Sequence, residues 1–191
     1  MKICVFGASG SELRQDYFDA AAALGRALAL QGHSLVFGAG DSGLMGACAR
    51  AAAGEGAEII GVAPRFFDEP GVLYPHCTRL ILTETMRERK ALMEELGEAF
   101  LVMPGGIGTL EEFFEVLTLR QLGRHDKPIA LLNTCGCYDA LYALLEELAR
   151  ERFLGESCLS LLTLCPDAES ALRAVTAPRQ TVRRSIADYT A

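Results

Sequence analysis

An α/β domain built on one doubly wound parallel sheet is the fold this sequence predicts, and three observations predict it. Strand-like and helix-like segments alternate along the chain. The strand-like runs are continuously apolar rather than alternating, as in strands buried on both faces of a parallel sheet. Glycine-rich loops follow the first, second and fifth of them, at the carboxyl ends where such sheets bind ligands. No repeat or linker interrupts the pattern, so residues 1–178 read as one domain. Residues 179–191, which lack periodicity, read as a loose tail.

Taken in order, Lys2-Ile3-Cys4-Val5-Phe6 is a buried strand ended by Gly7-Ala8-Ser9-Gly10-Ser11. A helix rich in alanine and leucine covers residues 16–30 and is closed by Gly32. Ser34-Leu35-Val36-Phe37 is the second strand, followed by Gly38-Ala39-Gly40-Asp41-Ser42-Gly43. Small side chains make residues 44–53 a helix, which Gly54 and Gly56 stop. Residues 58–63 form the third strand, and 64–75, broken by Pro64, Pro70 and Pro75, a loop. A fourth strand at 78–83 leads into a charged helix at 85–96. The fifth strand, Ala99-Phe100-Leu101-Val102, runs into Met103-Pro104-Gly105-Gly106-Ile107-Gly108-Thr109 and an apolar helix over 110–122. Residues 127–132, 138–152, 159–164 and 166–175 complete the pattern as strand, helix, strand and helix.

Half of the 191 residues are hydrophobic, enough for one domain with a sizeable core. The formal net charge is −7, and basic residues cluster only around Arg87-Arg89-Lys90 and Arg183-Arg184. Duplex nucleic acid, whose binding rests on neutralised phosphates, is therefore not an expected partner. No apolar run reaches membrane-spanning length and the N-terminus enters a strand at once, so no membrane partner or signal peptide is expected. The seven cysteines include no Cys-x-x-Cys pair, and the three histidines are scattered. This reads as reduced thiols in a cytoplasmic protein, with no metal site and no cofactor.

The turn from Pro104 to Thr109 is the sharpest signal. Three glycines in four residues allow backbone N–H groups to converge on an anion, and the following helix points its positive end at the same spot. A phosphate is the natural guest. Glu112 beside it is unhelpful to a phosphate unless it does chemistry, although Thr109-x-x-Glu112 also fits a capping box. Gly38-x-Gly40-x-x-Gly43 matches a dinucleotide fingerprint, but after the wrong strand and without its acidic partner. Close helix-to-strand packing explains part of it. In the charged helix the apolar stripe Met86, Met93, Leu96 is interrupted by Arg89. An inward arginine needs an anion: Glu112 or Glu115, or a substrate phosphate or hydroxyl. Thr85-x-x-Glu88 reads as a helix cap.

Pro104-Gly105-Gly106-Ile107-Gly108-Thr109-Leu110-Glu111-Glu112 resembles the PGGxGTxxE motif of the LONELY GUY family. Met86-Arg87-Glu88-Arg89-Lys90-Ala91-Leu92-Met93 is similar to that family's second signature, and Gly38-Ala39-Gly40-Asp41-Ser42-Gly43-Leu44-Met45-Gly46 to its GGGxxGLMG stretch. The similarity covers residues 2–148. It implies a Rossmann-like homodimer, with helices near Arg89 and Glu112 forming a shared pocket. It also implies hydrolysis of cytokinin-riboside 5′-monophosphates, and often of AMP, to free base and ribose 5-phosphate. On this resemblance Arg89 and Glu112 match the catalytic pair and Lys90 a neighbouring substrate-binding residue. Gly105, Gly106, Gly108 and Thr109 match the phosphate turn, with Thr118 and Met86 as further contacts. Gly7, Ser9, Gly40 and Ser42, in the other two glycine-rich loops, join them as substrate-binding candidates. Ala39 replaces the family's middle glycine, and Glu69 is the candidate for its acidic substrate contact. A noncatalytic nucleotide sensor would need the phosphate turn but not Glu112. A pyridoxal-phosphate decarboxylase would need a Schiff-base lysine, for which Lys90 is the candidate.

Overall fold

The computed structural model describes residues 1–178; the expected loose tail at 179–191 lies outside them. Among these residues seven strands form one all-parallel sheet: β1 (Lys2–Phe6), β2 (Ser34–Phe37), β3 (Ile59–Pro64), β4 (Arg79–Thr83), β5 (Ala99–Val102), β6 (Ile129–Leu132) and β7 (Leu162–Cys165). The order is β4-β3-β2-β1-β5-β6-β7. The chain therefore winds outward from β1 to β4, then returns to the other side of β1 with β5. The loops leaving β1 and β5 part in opposite directions there, which opens a crevice at the carboxyl end of the sheet. This is the Rossmann-like α/β arrangement expected.

Six helices cover the two faces: α1 (Gln15–Leu30), α2 (Gly43–Gly54), α3 (Met86–Leu96), α4 (Ile107–Gln121), α5 (Asp139–Arg150) and α6 (Ala168–Thr176). Side chains alternate across each strand, so the sheet feeds two cores. Ile3, Val5, Leu35, Phe37 and Leu101 pack under α1, α2 and α6; Cys4, Phe6, Val36, Phe100 and Val102 pack under α3, α4 and α5. Continuous apolar strands are what such a two-sided sheet requires. On the first face α1 and α2 approach so closely that a Cβ on Gly25 would lie 2.2 Å from the Cys48 carbonyl oxygen.

Two boundaries differ from expectation for identifiable reasons. α4 begins at Ile107, capped by Gly106, so Thr109 is the third residue of the helix and cannot cap it. The Thr109-x-x-Glu112 capping box is therefore absent. The last strand starts at Leu162 because the preceding residues, Glu156–Leu161, close into 3-10 turns. The cap at Thr85 forms as expected: its side chain accepts the Glu88 N–H at 3.2 Å. All seven cysteines are free, four of them buried. No described helix is long and apolar enough to cross a membrane.

Candidate active site

The crevice between the β1 and β5 loops is a cavity of about 650 Å³, a usual size for a small-molecule site. Arg89 and Glu112 meet on its wall. Each is more than nine-tenths buried, and Arg89 Nη2 lies 2.8 Å from Glu112 Oε1. The contact is an ion pair between two buried groups. Nε of Arg89 donates to the Val62 carbonyl within β3, at 3.3 Å. Burial pushes the Glu112 carboxyl above the ordinary carboxylate range, and the charge of Arg89 opposes that rise without cancelling it. The result is a carboxylate that faces a ligand cavity, held by one cation.

The phosphate-binding expectation falls on the N-terminus of α4. Its first three N–H groups, those of Ile107, Gly108 and Thr109, have no intrahelical carbonyl to bind. No other protein group accepts them among the described residues. They open into the same cavity, which Gly106, Ile107, Gly108, Thr109 and Glu112 all line. The turn before them is pinned from three sides. Met103 N–H donates to Phe6 O at 2.9 Å and Ala8 N–H to Pro104 O at 3.1 Å. The buried hydroxyl of Tyr138 donates to Met103 O at 2.6 Å.

Of the other candidates, Gly7, Ser9, Gly40, Ser42 and Met86 also line the cavity. Four do not. Gly105 sits behind the turn, where a Cβ would lie 2.1 Å from Thr109 Oγ1. Lys90 turns its ammonium away, onto Glu111 and onto Glu115 at 3.0 Å, and the Glu111 partner raises its pKa. Thr118 is exposed farther along α4. Glu69 is exposed and borders a separate hollow beside Tyr74 and Leu80. From that loop it is Phe67, Val72 and Leu73 that face the main cavity, giving it an apolar wall with Met45 and Met86. Of these only Met86 was named from the sequence, although the aromatic pair at 66–67 was a signal for the loop.

In Gly38-x-Gly40-x-x-Gly43 the last glycine serves packing, while Gly38 and Gly40 line the cavity. Ala8 O accepts from Leu44 N–H at 2.9 Å, which closes the start of α2, and Gly43 lets the β1 loop approach. Ala39 takes a left-handed conformation, φ 60°, where the family resemblance expects glycine. Its buried methyl fits because Gly61, opposite, has none: a Cβ there would lie 2.9 Å away.

The profile of a family described as "Possible lysine decarboxylase" matches residues 45–175. A cytokinin riboside 5′-monophosphate phosphoribohydrolase of Rhodococcoides fascians is 42% identical over 163 residues, which is 85% of this chain and 82% of that protein. An Arabidopsis thaliana protein of the same description is 36% identical over 90% of this chain and 80% of its own length. In fold, the chain resembles a molybdenum cofactor binding protein from Rippkaea orientalis. The TM-score is 0.70 and the identity 20%, over 90% of this chain and 93% of that one. The profile's span includes α3 and α4, which carry Arg89 and Glu112. The chain belongs to the LONELY GUY family, whose profile carries the older lysine decarboxylase description.

Proposed function

We propose that this chain hydrolyses the N-glycosidic bond of a cytokinin-type nucleoside 5′-monophosphate, releasing the free base and ribose 5-phosphate. One observation carries the reading: a buried carboxylate, Glu112, stands one helical turn behind three unclaimed N–H groups at the start of α4, in one cavity. A 5′-phosphate on those N–H groups anchors the ribose next to Glu112. As the bond from C1′ to the base breaks, its electron pair leaves with the base and positive charge develops on the ribosyl ring. The Glu112 carboxylate stabilises that charge and accepts a proton from the water whose oxygen attacks C1′. That proton then passes to the departing base. Arg89 keeps Glu112 ionised and oriented, and Val62 O fixes Arg89.

The apolar wall of Met45, Phe67, Val72, Leu73 and Met86 supports a preference for adenine carrying an apolar N6 substituent over adenine itself. Exposed Ile107 and Phe114 on α4, with exposed Met86 at the start of α3, support a homodimer. Seven free thiols fit a cytoplasmic setting. The test is base release from N6-isopentenyl AMP and from AMP, followed by chromatography. Wild type should release base from both, faster from the first, and Glu112→Gln should lose on the order of 10²–10³-fold in kcat. Because the ionised carboxylate is the working form and its pKa is raised, kcat should fall as pH drops, with the acid limb above the ordinary carboxylate range. Binding of both nucleotides with cleavage of neither overturns the proposal.

A further inference from the structure

The glycine motif after β2 contains one position that neither the phosphate turn nor the packing of α2 accounts for. A Cβ built on Gly38 would lie 2.2 Å from Nη2 of Arg89, 3.2 Å from its Cζ and 3.6 Å from its Nε. All three nearest atoms belong to that one guanidinium. Gly38 is not among the residues with positive φ, so an L-residue meets no backbone objection there. Its missing side chain is therefore required first by Arg89, on the wall of the ligand cavity that Gly38 also lines. The guanidinium lies in a three-sided seat. Gly38 leaves space at the end of β2, the Val62 carbonyl accepts Nε within β3, and Glu112 faces Nη2 from α4.

We infer that Gly38 is a positioning residue for the reaction, whose bare Cα admits the Arg89 guanidinium to the one place where it can hold Glu112. This rests on the glycosidase reading above for its kinetic consequences, but the seat itself can be probed without turnover. Arg89 ends in a flexible side chain, so a methyl at 38 can be accommodated by the guanidinium swinging away rather than by unfolding. That motion removes from Glu112 the cation nearest to it. The other groups facing Glu112 stay in place: Lys90 and Glu94 on α3, Glu111 and Glu115 on α4, and the buried Cys4 thiol on β1. Since Lys90 is engaged by Glu111 and Glu115, it cannot replace Arg89.

The experiment is Gly38→Ala, read in three ways. Its kcat should fall on the order of 10²-fold with KM changed far less, because the phosphate turn is untouched. In wild type and variant, the carboxyl carbon of Glu112 is followed by NMR against pH. Its midpoint should move upward in the variant, and this readout stands even if the wild type cleaves no nucleotide. Finally, Gly38→Ala in an Arg89→Lys background should cost little more than Arg89→Lys alone, since the lysine lacks the Nη2 that the methyl would strike. An unmoved Glu112 midpoint, multiplicative losses in the double variant, or a Gly38→Ala chain that fails to fold would each overturn the inference.

Discussion

Two helices of this molecule start from glycine-rich turns at the carboxyl ends of strands that flank β1, and they differ in what meets their first N–H groups. At α2 two of the first three are taken, since Ala8 O accepts Leu44 N–H at 2.9 Å and, weakly, Met45 N–H at 3.5 Å, while Ser42 Oγ donates to Ser9 O at 2.8 Å. At α4 the first three are open to the cavity. The same residue makes the difference on both sides, for Ala8 N–H donates to Pro104 O in the turn before α4. The β1 loop thus gives its carbonyl to one helix and its N–H to the turn before the other. A glycine motif before a helix does not by itself make an anion site. The site exists where no protein carbonyl has already claimed the N–H groups.

The largest effect that follows is on stability, at α2. Gly43 has φ 63°, and a Cβ there would lie 2.4 Å from Ala8 O and 2.6 Å from the Ser9 carbonyl carbon. Both the conformation and the space exclude a side chain, and the obstacles are backbone atoms that cannot swing aside. Gly43→Ala should lower unfolding free energy by roughly 2–4 kcal/mol, measured from denaturant midpoints. A loss of nucleotide affinity without a loss of stability would mean that α2, like α4, serves the ligand directly.

How much of this was legible beforehand follows the range of the interactions. β1, β2 and β5 were read to the residue, because their signal is a local apolar run between glycines. Arg89 was legible because a charge on an apolar stripe demands a partner, and Glu112 was named as one. Lys90 could have been read better: successive helical residues point about 100° apart, so an inward Arg89 sends Lys90 sideways, toward Glu111 and Glu115. Gly38 and Ala8 were not legible as a seat and a cap. Their roles are contacts with residues distant in the chain, and neither has a polar side chain to announce it. Glu69 lies off the main cavity for a similar reason, since the backbone path of the loop, anchored by Tyr74 N–H to Ala39 O at 2.8 Å, decides which of its side chains face inward.

At α4 the corresponding glycine substitution should act on the ligand rather than on the fold. A Cβ on Gly105 would meet the side chain of Thr109 first, with Oγ1 at 2.1 Å. That threonine can rotate, at the cost of disturbing the first turn of the helix. Gly105→Ala should therefore keep its stability within about 1–2 kcal/mol of wild type yet bind ribose 5-phosphate about tenfold more weakly. Amide shifts in NMR titrations locate the effect: Ile107, Gly108 and Thr109 should move when wild type is titrated, and Leu44 and Met45 should not. If the α2 amides respond instead, the contrast between the two termini is wrong and the anion sits at the other helix.

The smallest effect separates wall from anchor within the cavity. Ser42 lines it, but its hydroxyl already donates to Ser9 O, which joins the β1 loop to the start of α2. A hydroxyl so engaged can still accept from a ligand, yet its own proton is not available to a phosphate oxygen. Removing it from this exposed position should cost about 0.5–1.5 kcal/mol of stability, the net value of one such hydrogen bond. Ser42→Ala should accordingly lower the denaturant midpoint slightly and leave KM for the nucleotide within about twofold of wild type. A KM raised tenfold at unchanged stability would instead mean that the serine abandons Ser9 when substrate arrives. The closed terminus of α2 would then be closed only until a better acceptor enters the crevice.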